Sequence, residues 1–308
     1  MVRPLSNALT WQIGFTLIEL MISMVLGIVI IGALIVLYMT GSAATRNAQA
    51  QGQMNEDAQM ALAVVTHELR QAGYNPARTV AGARNDLRQG GWSLFACATG
   101  FTDNTLAGNL LACNVAGNST SLAVVYEGDL YSGKNTTAPP PLPMDCLGNG
   151  VAATGVSLAG LVNYHTMQSR LYIANNTLKC NGGGDLTQAQ VLAENIESMA
   201  VSFAVTEPAV ANSTKVLGYL SASEVNAPAD AGLAALTPLQ RWDKVVAARV
   251  CVVVTSEAAV LSDLYAADTN PTYLACDDTN VAITDRKLRR AYRTTVLLRN
   301  HGVGYVDS

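Results

Sequence analysis

The sequence predicts an α+β fold: a long N-terminal α-helix, membrane-spanning in its first half and amphipathic in its second, packed on an antiparallel β-sheet and braced by disulfides. Three observations carry that prediction. Leu20 to Met39 form an unbroken run of uncharged residues, long enough for a helix to cross a hydrocarbon core. Apolar residues then recur at spacings of three and four from Met54 to Ala72, the stripe of a helix with one buried face. After Tyr74 that period gives way to short β-branched runs set among Gly, Asn, Thr and Pro, with six cysteines spread through them.

The apolar run opens with Gly14-Phe15, and Glu19 stands inside it. A carboxylate in lipid costs roughly 2.5–3.5 kcal/mol even on mild insertion scales, so such an acid is functional by default and needs a partner. A cation is the kind of partner it requires. Two plainer readings compete: a secretory signal cut near Ser42 and Ala44, or a simple signal anchor in which Glu19 is accidental. Secretory signals have an apolar core of about 7–15 residues; this run is longer and carries an acid near its start. The helix is expected to continue beyond the membrane, with Gln53, Glu56, Asp57, Gln59, Glu68 and Arg70 on its wet face. Gly27, Gly32, Gly41 and Gly52 each cost up to about 1 kcal/mol against alanine and mark expected bends or local melting. Gly73, with Pro76 following, ends the helix.

The strands come next. Ser121 to Tyr126 reads as one, and Pro139 to Pro143 as a stiff linker, because proline cannot join a central sheet. Leu171 to Cys180 places two apolar arms around Asn175-Asn176, a hairpin whose turn needs φ > 0. Val191 to Val205, Val216 to Leu220 and Tyr292 to Arg299 carry further strand character. Val245 to Thr255 is β-branched and nearly all apolar, a buried central strand.

Composition narrows the function. The chain has 308 residues with 19 basic and 23 acidic side chains. Removing residues 1–14 takes away only Arg3, leaving 18 basic against 23 acidic and a net charge of −5. That balance gives no global electrostatic case for a nucleic-acid partner. Cys97, Cys113, Cys146, Cys180, Cys251 and Cys276 all follow the membrane run, form no CxxC and lack histidines at zinc-finger spacing. They read as an exported disulfide framework and not as a metal site. Six cysteines admit many connectivities; the sequential set, Cys97–Cys113, Cys146–Cys180 and Cys251–Cys276, is the one expected.

No catalytic constellation emerges, and no cofactor is expected. His67-Glu68 starts the metalloprotease signature HExxH, but Gln71 stands where the second ligand belongs. Gly182-Gly183-Gly184 lacks phosphate-loop spacing, and no GxSxG elbow is present. Asp277-Asp278-Thr279-Asn280 offers oxygens to calcium without EF-hand spacing. Arg286, Lys287, Arg289, Arg290 and Arg293 form one local basic patch, read either as a DNA-contacting strip or as an edge guard paired with acids.

The Gly14-Phe15 junction with Glu19 resembles the processing site of type IV prepilins. The resemblance implies a leader, 1–14, cut by prepilin peptidase, with N-methylated Phe15 as the new N-terminus. It also implies that Glu19 pairs with the α-amino group of Phe15 on a neighbouring subunit. The leader ends Trp11-Gln12-Ile13-Gly14, without the basic residue the family often places beside the glycine. Five later segments narrow the resemblance to the PilW family of minor pilins: Leu69-Arg70-Gln71-Ala72-Gly73-Tyr74, Ala193 to Met199, Tyr219 to Val225, Trp242 to Val250 and Leu288 to Asn300. Asn75 to Arg170 matches little. The organisation implied is a 15–39 transmembrane and assembly helix, a 40–73 amphipathic helix and a pilin-like 74–308 periplasmic domain.

By that resemblance the chain is a single-pass inner-membrane protein of a Gram-negative bacterium, later placed at or near a pilus tip. Its partners would be other minor pilins, the major pilin, the assembly platform, a tip adhesin and, before assembly, membrane lipid. Its expected role is to prime pilus assembly. The alternatives are a type II secretion pseudopilin, a directly adhesive subunit and an anchored periplasmic enzyme.

Overall fold

The computed structural model describes residues 14–74, 79–80, 83–84, 92–106, 108–128, 134–135, 141–153, 155–156, 163–208, 213, 215–261 and 271–301. The chain divides into two compact units, Met1–Gln49 and Ala50–Ser308. Helix α1 (Leu17–Gln71) contributes to both. It runs through Gly27, Gly32, Gly41 and Gly52 without a break in helical assignment, so the expected melting at those glycines is not seen.

In the first unit the large apolar side chains from Phe15 to Met39 are all more than half exposed. In the second unit α1 behaves as its stripe dictates. Met54, Ala58, Ala61, Val65 and Leu69 are sealed in the core, and polar tethers flank them. Asn195 Nδ2 donates to Asp57 Oδ2 (2.8 Å), Tyr292 OH to Asn55 Oδ1 (2.6 Å) and Asn300 Nδ2 to the Arg70 carbonyl (3.1 Å). Glu68 departs from expectation. It lies three residues after Val65, on the buried stripe, and is only 4% exposed. Gly73 ends the helix at φ 72°, where a Cβ would be strained.

The principal strands in chain order are β1 (Leu94–Cys97), β2 (Ser121–Gly128), β3 (Asn163–Ala174), β4 (Thr177–Gly182), β5 (Ala189–Ala193), β6 (Ile196–Thr206), β7 (Val216–Ser221), β8 (Val245–Ala259), β9 (Thr272–Leu274), β10 (Asn280–Ala282) and β11 (Lys287–Leu297). They build two larger antiparallel sheets, where one was expected, and a separate β9-β10 hairpin. The first has the order β5-β4-β3-β2-β1, with Gly155–Val156 pairing off β3; the second is β7-β6-β8-β11. The sheets share one core with α1. Thr120 N–H to the Met199 carbonyl (2.6 Å) and Met199 N–H to Ser119 Oγ (3.0 Å) join them.

Local sequence explains most of these elements. Asn175 and Asn176 both adopt positive φ, 55° and 56°, so the β3–β4 turn is the type I′ form that suits strand twist. β8 lies between β6 and β11 and is buried from Val250 to Ser256, as its composition predicts. The Val191–Val205 stretch divides into β5 and β6, because Asn195 turns the chain at φ 59°. The last strand is Lys287–Leu297, beginning earlier than its apolar core suggests. Pro143 belongs to a two-residue strand, Leu142–Pro143, paired with Lys134–Asn135; 139–140 lie outside the described residues. The sequential disulfide set is the one present: Cys97–Cys113, Cys146–Cys180 and Cys251–Cys276.

Three short helices join β7 to β8: α2 (Ala222–Asn226), α3 (Ala231–Ala234) and α4 (Pro238–Asp243). Capping boxes Ser221/Glu224 and Thr237/Gln240 start the first and third, each satisfying orphan N–H groups reciprocally. Asn226 anchors the segment. Its Nδ2 donates to the Ala96 carbonyl (2.9 Å), and its Oδ1 accepts from Trp242 Nε1 (2.9 Å). Trp242, 1% exposed, meets Phe203 and Phe95 edge-on at 4.9 and 5.9 Å between centroids, a geometry favoured by the ring quadrupole.

Candidate functional site

At the start of α1, Gly14, Phe15 and Thr16 precede the helix and are exposed. Thr16 caps it: Oγ1 accepts the Glu19 N–H (3.3 Å), and the carbonyl accepts from Leu20 (3.2 Å). Glu19 is exposed in the first turn, at the positive end of the helix dipole, where an acid is favoured. Thr16-Leu17-Ile18-Glu19 has the capping-box pattern, a signal the sequence reading passed over. Gly14, Phe15 and Glu19 therefore cluster at one helix end, while the cysteines lie in the second unit. Residues 1–13, where the leader is expected, lie outside the described residues. α1 is the one helix among the described residues long and apolar enough to cross a membrane. So much contiguous exposed apolar surface demands lipid or protein cover.

In the second unit the side chains weighed for chemistry have structural duties. Asp145 is buried; its Oδ1 accepts from Leu147 and Asn149 N–H and its Oδ2 from Gly184 N–H, each at 2.9 Å. A Cβ on Gly182 would come within 2.2 Å of Asp145 Oδ2. Asp145 is thus cradled by N–H groups of its own loop and of Gly184 in the glycine turn, beside the Cys146–Cys180 bridge. Near it, burial pushes the Glu68 carboxyl above the ordinary carboxylate range, against the lowering effects of the Ser169 hydroxyl and His67. Desolvation, reinforced by Glu68 and Asp145, likewise raises Tyr126. Gln71 Nε2 meets His67 Nε2 at 2.6 Å on the exposed side of the helix.

Arg170 is fully buried on the opposite side of β3. Nη2 donates to Gln168 Oε1 at 2.8 Å, and desolvation brings its guanidinium down to about 10.

The basic patch resolves into pairs. Arg289 forks onto both Asp285 oxygens (2.6 and 2.7 Å) and also reaches Glu197. That hydrogen bonding holds the Asp285 carboxyl far below its ordinary value. Arg293 binds Asp278 (2.6 Å) and the Ala275 carbonyl (2.9 Å), and Arg290 lies over Tyr292. Arg289 and Arg293 of the patch are therefore paired with acids, and the Arg293–Asp278 pair occupies the candidate calcium loop. Asp278 serves Arg293, and Asp277 Oδ1 accepts from Thr279 N–H (3.1 Å) and its hydroxyl (2.7 Å). No group of three or more metal-ligating side chains occurs among the described residues.

Against known families, residues 161–300 match the one described as Type IV Pilus-assembly protein W, PilW. The matched stretch runs from β3 to the end of β11, so it takes in all of the second sheet and the Cys251–Cys276 bridge. Among solved structures, a type IV-like pilin from Thermus thermophilus aligns at 10% identity over 81% of this chain and 98% of its own, with a TM-score of 0.36. A chain of the GspK-GspI-GspJ complex from the type 2 secretion system of enterotoxigenic Escherichia coli aligns at 13% identity, over 80% and 98%, with a TM-score of 0.30. No curated protein matches the chain.

Proposed function

We propose that this protein is a minor pilin that joins other minor pilins in the inner membrane, primes type IV pilus assembly and remains at or near the tip, where it helps present an adhesin. The match of residues 161–300 to the PilW family, together with an exposed apolar helix that carries one acid in its first turn, supports this reading. Prepilin peptidase cuts the 1–14 leader, and Phe15 becomes a methylated N-terminus. The 15–39 helix waits in lipid while the 40–73 helix carries the 74–308 domain in the periplasm. The assembly machinery then extracts the helix into a bundle, where packing against major and minor pilin helices replaces lipid. Glu19 and the Phe15 ammonium of a neighbour close a charge pair that neither could make alone in hydrocarbon. Heterologous contacts of this kind build open filaments.

Mass spectrometry of the native protein tests the first step: a chain starting at methylated Phe15 is expected, and an intact Met1 in assembled fibres overturns the reading. Glu19→Val is expected to leave the periplasmic domain folded while blocking incorporation. Normal incorporation of that variant removes the pairing role. Loss of the gene should reduce pilus number. A strain that keeps its pili but loses adhesion identifies an adhesive subunit, and one that loses only secretion identifies a pseudopilin.

A further inference from the structure

The second sheet turns one face to the core and the other away from it. On the outward face of β8 and β11 lie Arg249, Cys251, Arg289, Arg293 and Thr295, paired across the strands as Arg249–Thr295, Cys251–Arg293 and Thr255–Arg289. Arg289 and Arg293 have carboxylate partners. Arg249 is exposed and meets no carboxylate within ion-pair range among the described residues. Its side chain reaches across β6, over small Ser202, to lay its guanidinium 4.2 Å above the ring of Tyr219 on β7. A cation is thereby carried toward the sheet's edge and held against an aromatic face.

That edge is unusual for a natural sheet. β7 carries no charged residue, and its Val216, Leu217 and Tyr219 are 41%, 46% and 40% exposed. A side chain at Gly218 would meet nothing within 4 Å. The opposite edge, β11, bears Lys287, Arg290 and Arg293, the kind of charge that discourages strand pairing. Among the described residues no strand pairs with the outer side of β7, and an apolar edge strand with no charge of its own is a template for another strand.

We propose that the β7 edge, with Arg249 stacked on Tyr219, is a docking surface for an extended segment of another protein that carries a carboxylate. The segment adds as a strand beside β7, sets alternate apolar side chains against Leu217 and Tyr219, and brings its acid to Arg249. This surface concerns the second unit alone and holds whatever assembly the chain enters.

The test uses the full-length chain in detergent micelles and a blocked heptapeptide of alternating threonine and valine with a central glutamate. The same peptide with a central lysine serves as control. The glutamate peptide should bind about tenfold tighter than the lysine peptide, as complementary charge at an exposed contact predicts, and should slow amide hydrogen exchange in β7. Arg249→Gln should erase the preference between peptides while leaving residual binding, and Leu217→Lys should abolish binding of both. Equal binding of the two peptides, or unchanged exchange in β7, overturns the proposal. So does a self-associated wild-type chain dispersed by Leu217→Lys, because the occupant is then a second copy.

Discussion

The contact between Gly182 and Asp145 makes a quantitative prediction. Gly182 does not use the positive φ seen at Gly73, Gly100 and Gly148, so alanine is acceptable to its backbone and only the space is at issue. A Cβ there would stand 2.2 Å from Oδ2 and 2.4 Å from Cγ of Asp145. The carboxylate must move, yet three N–H groups hold it. Overpacking of this kind costs about 1–3 kcal/mol, and weakening a charged hydrogen bond adds about 1.5–3 kcal/mol. Gly182→Ala should therefore destabilise by about 3 kcal/mol, a fall of about 6–12 °C in Tm for a unit of this size. Asp145→Ala should cost a similar amount by leaving the three donors without their acceptor. In the double variant the obstacle is gone, so the costs should fall short of their sum by about 2 kcal/mol, the coupling of a direct contact. Thermal unfolding of the four proteins, followed by tryptophan fluorescence, measures the cycle. Additive costs would refute the cradle.

Glu68→Gln should flatten the pH dependence of stability. Burial raises the native carboxyl above its unfolded value, so its stabilising contribution is complete below the ordinary carboxylate range and is lost as pH rises through the raised native value. Wild-type Tm should fall relative to the variant between acid and neutral pH, and parallel profiles would contradict the assignment. Trp242→Ala should cost about 3–5 kcal/mol in chemical denaturation, because it empties a sealed aromatic site and strips Asn226 of a donor. Replacing Cys146 and Cys180 together by serine should cost about 4 kcal/mol on loop-closure grounds, given their separation of 34 residues; a loss below about 1 kcal/mol would show that the Asp145 cradle alone holds the loop.

The fold is legible in the sequence where one local rule decides the outcome. The stripe from Met54 to Ala72 defines the docked face of α1, Asn175-Asn176 the hairpin turn, and the β-branched run from Val245 the central strand. Leu94–Cys97 escapes such rules, because a strand whose four residues are all buried is too short to show a period. Helices α2 and α4 escape them too, although Ser221-Ala222-Ser223-Glu224 and Thr237-Pro238-Leu239-Gln240 spell capping boxes, because no apolar period follows helices so short. The charge of Glu68 suggests a wet position, but its place on the stripe decides its burial. The pairing of Arg289 with Glu197 joins residues far apart in the chain, which no local pattern reveals. At the helix start, Gly14, Phe15 and Glu19 stand out in the sequence because a lone acid in an apolar run has no ordinary explanation, and they lie together at one exposed helix end.

The way α1 ends has a mechanical consequence. Gly73 N–H donates to the Val125 carbonyl (3.0 Å), and Glu127 N–H donates to the Tyr74 carbonyl (2.8 Å). The backbone leaving the helix is thus stitched at once to β2, an interior strand of the first sheet. Tension that passes the docked face of the helix and reaches its end enters the fold at β2, where the neighbouring strands on both sides, β1 and β3, must shear together. The sheet's outer strands, which could peel away one bond at a time, stay out of the line of pull.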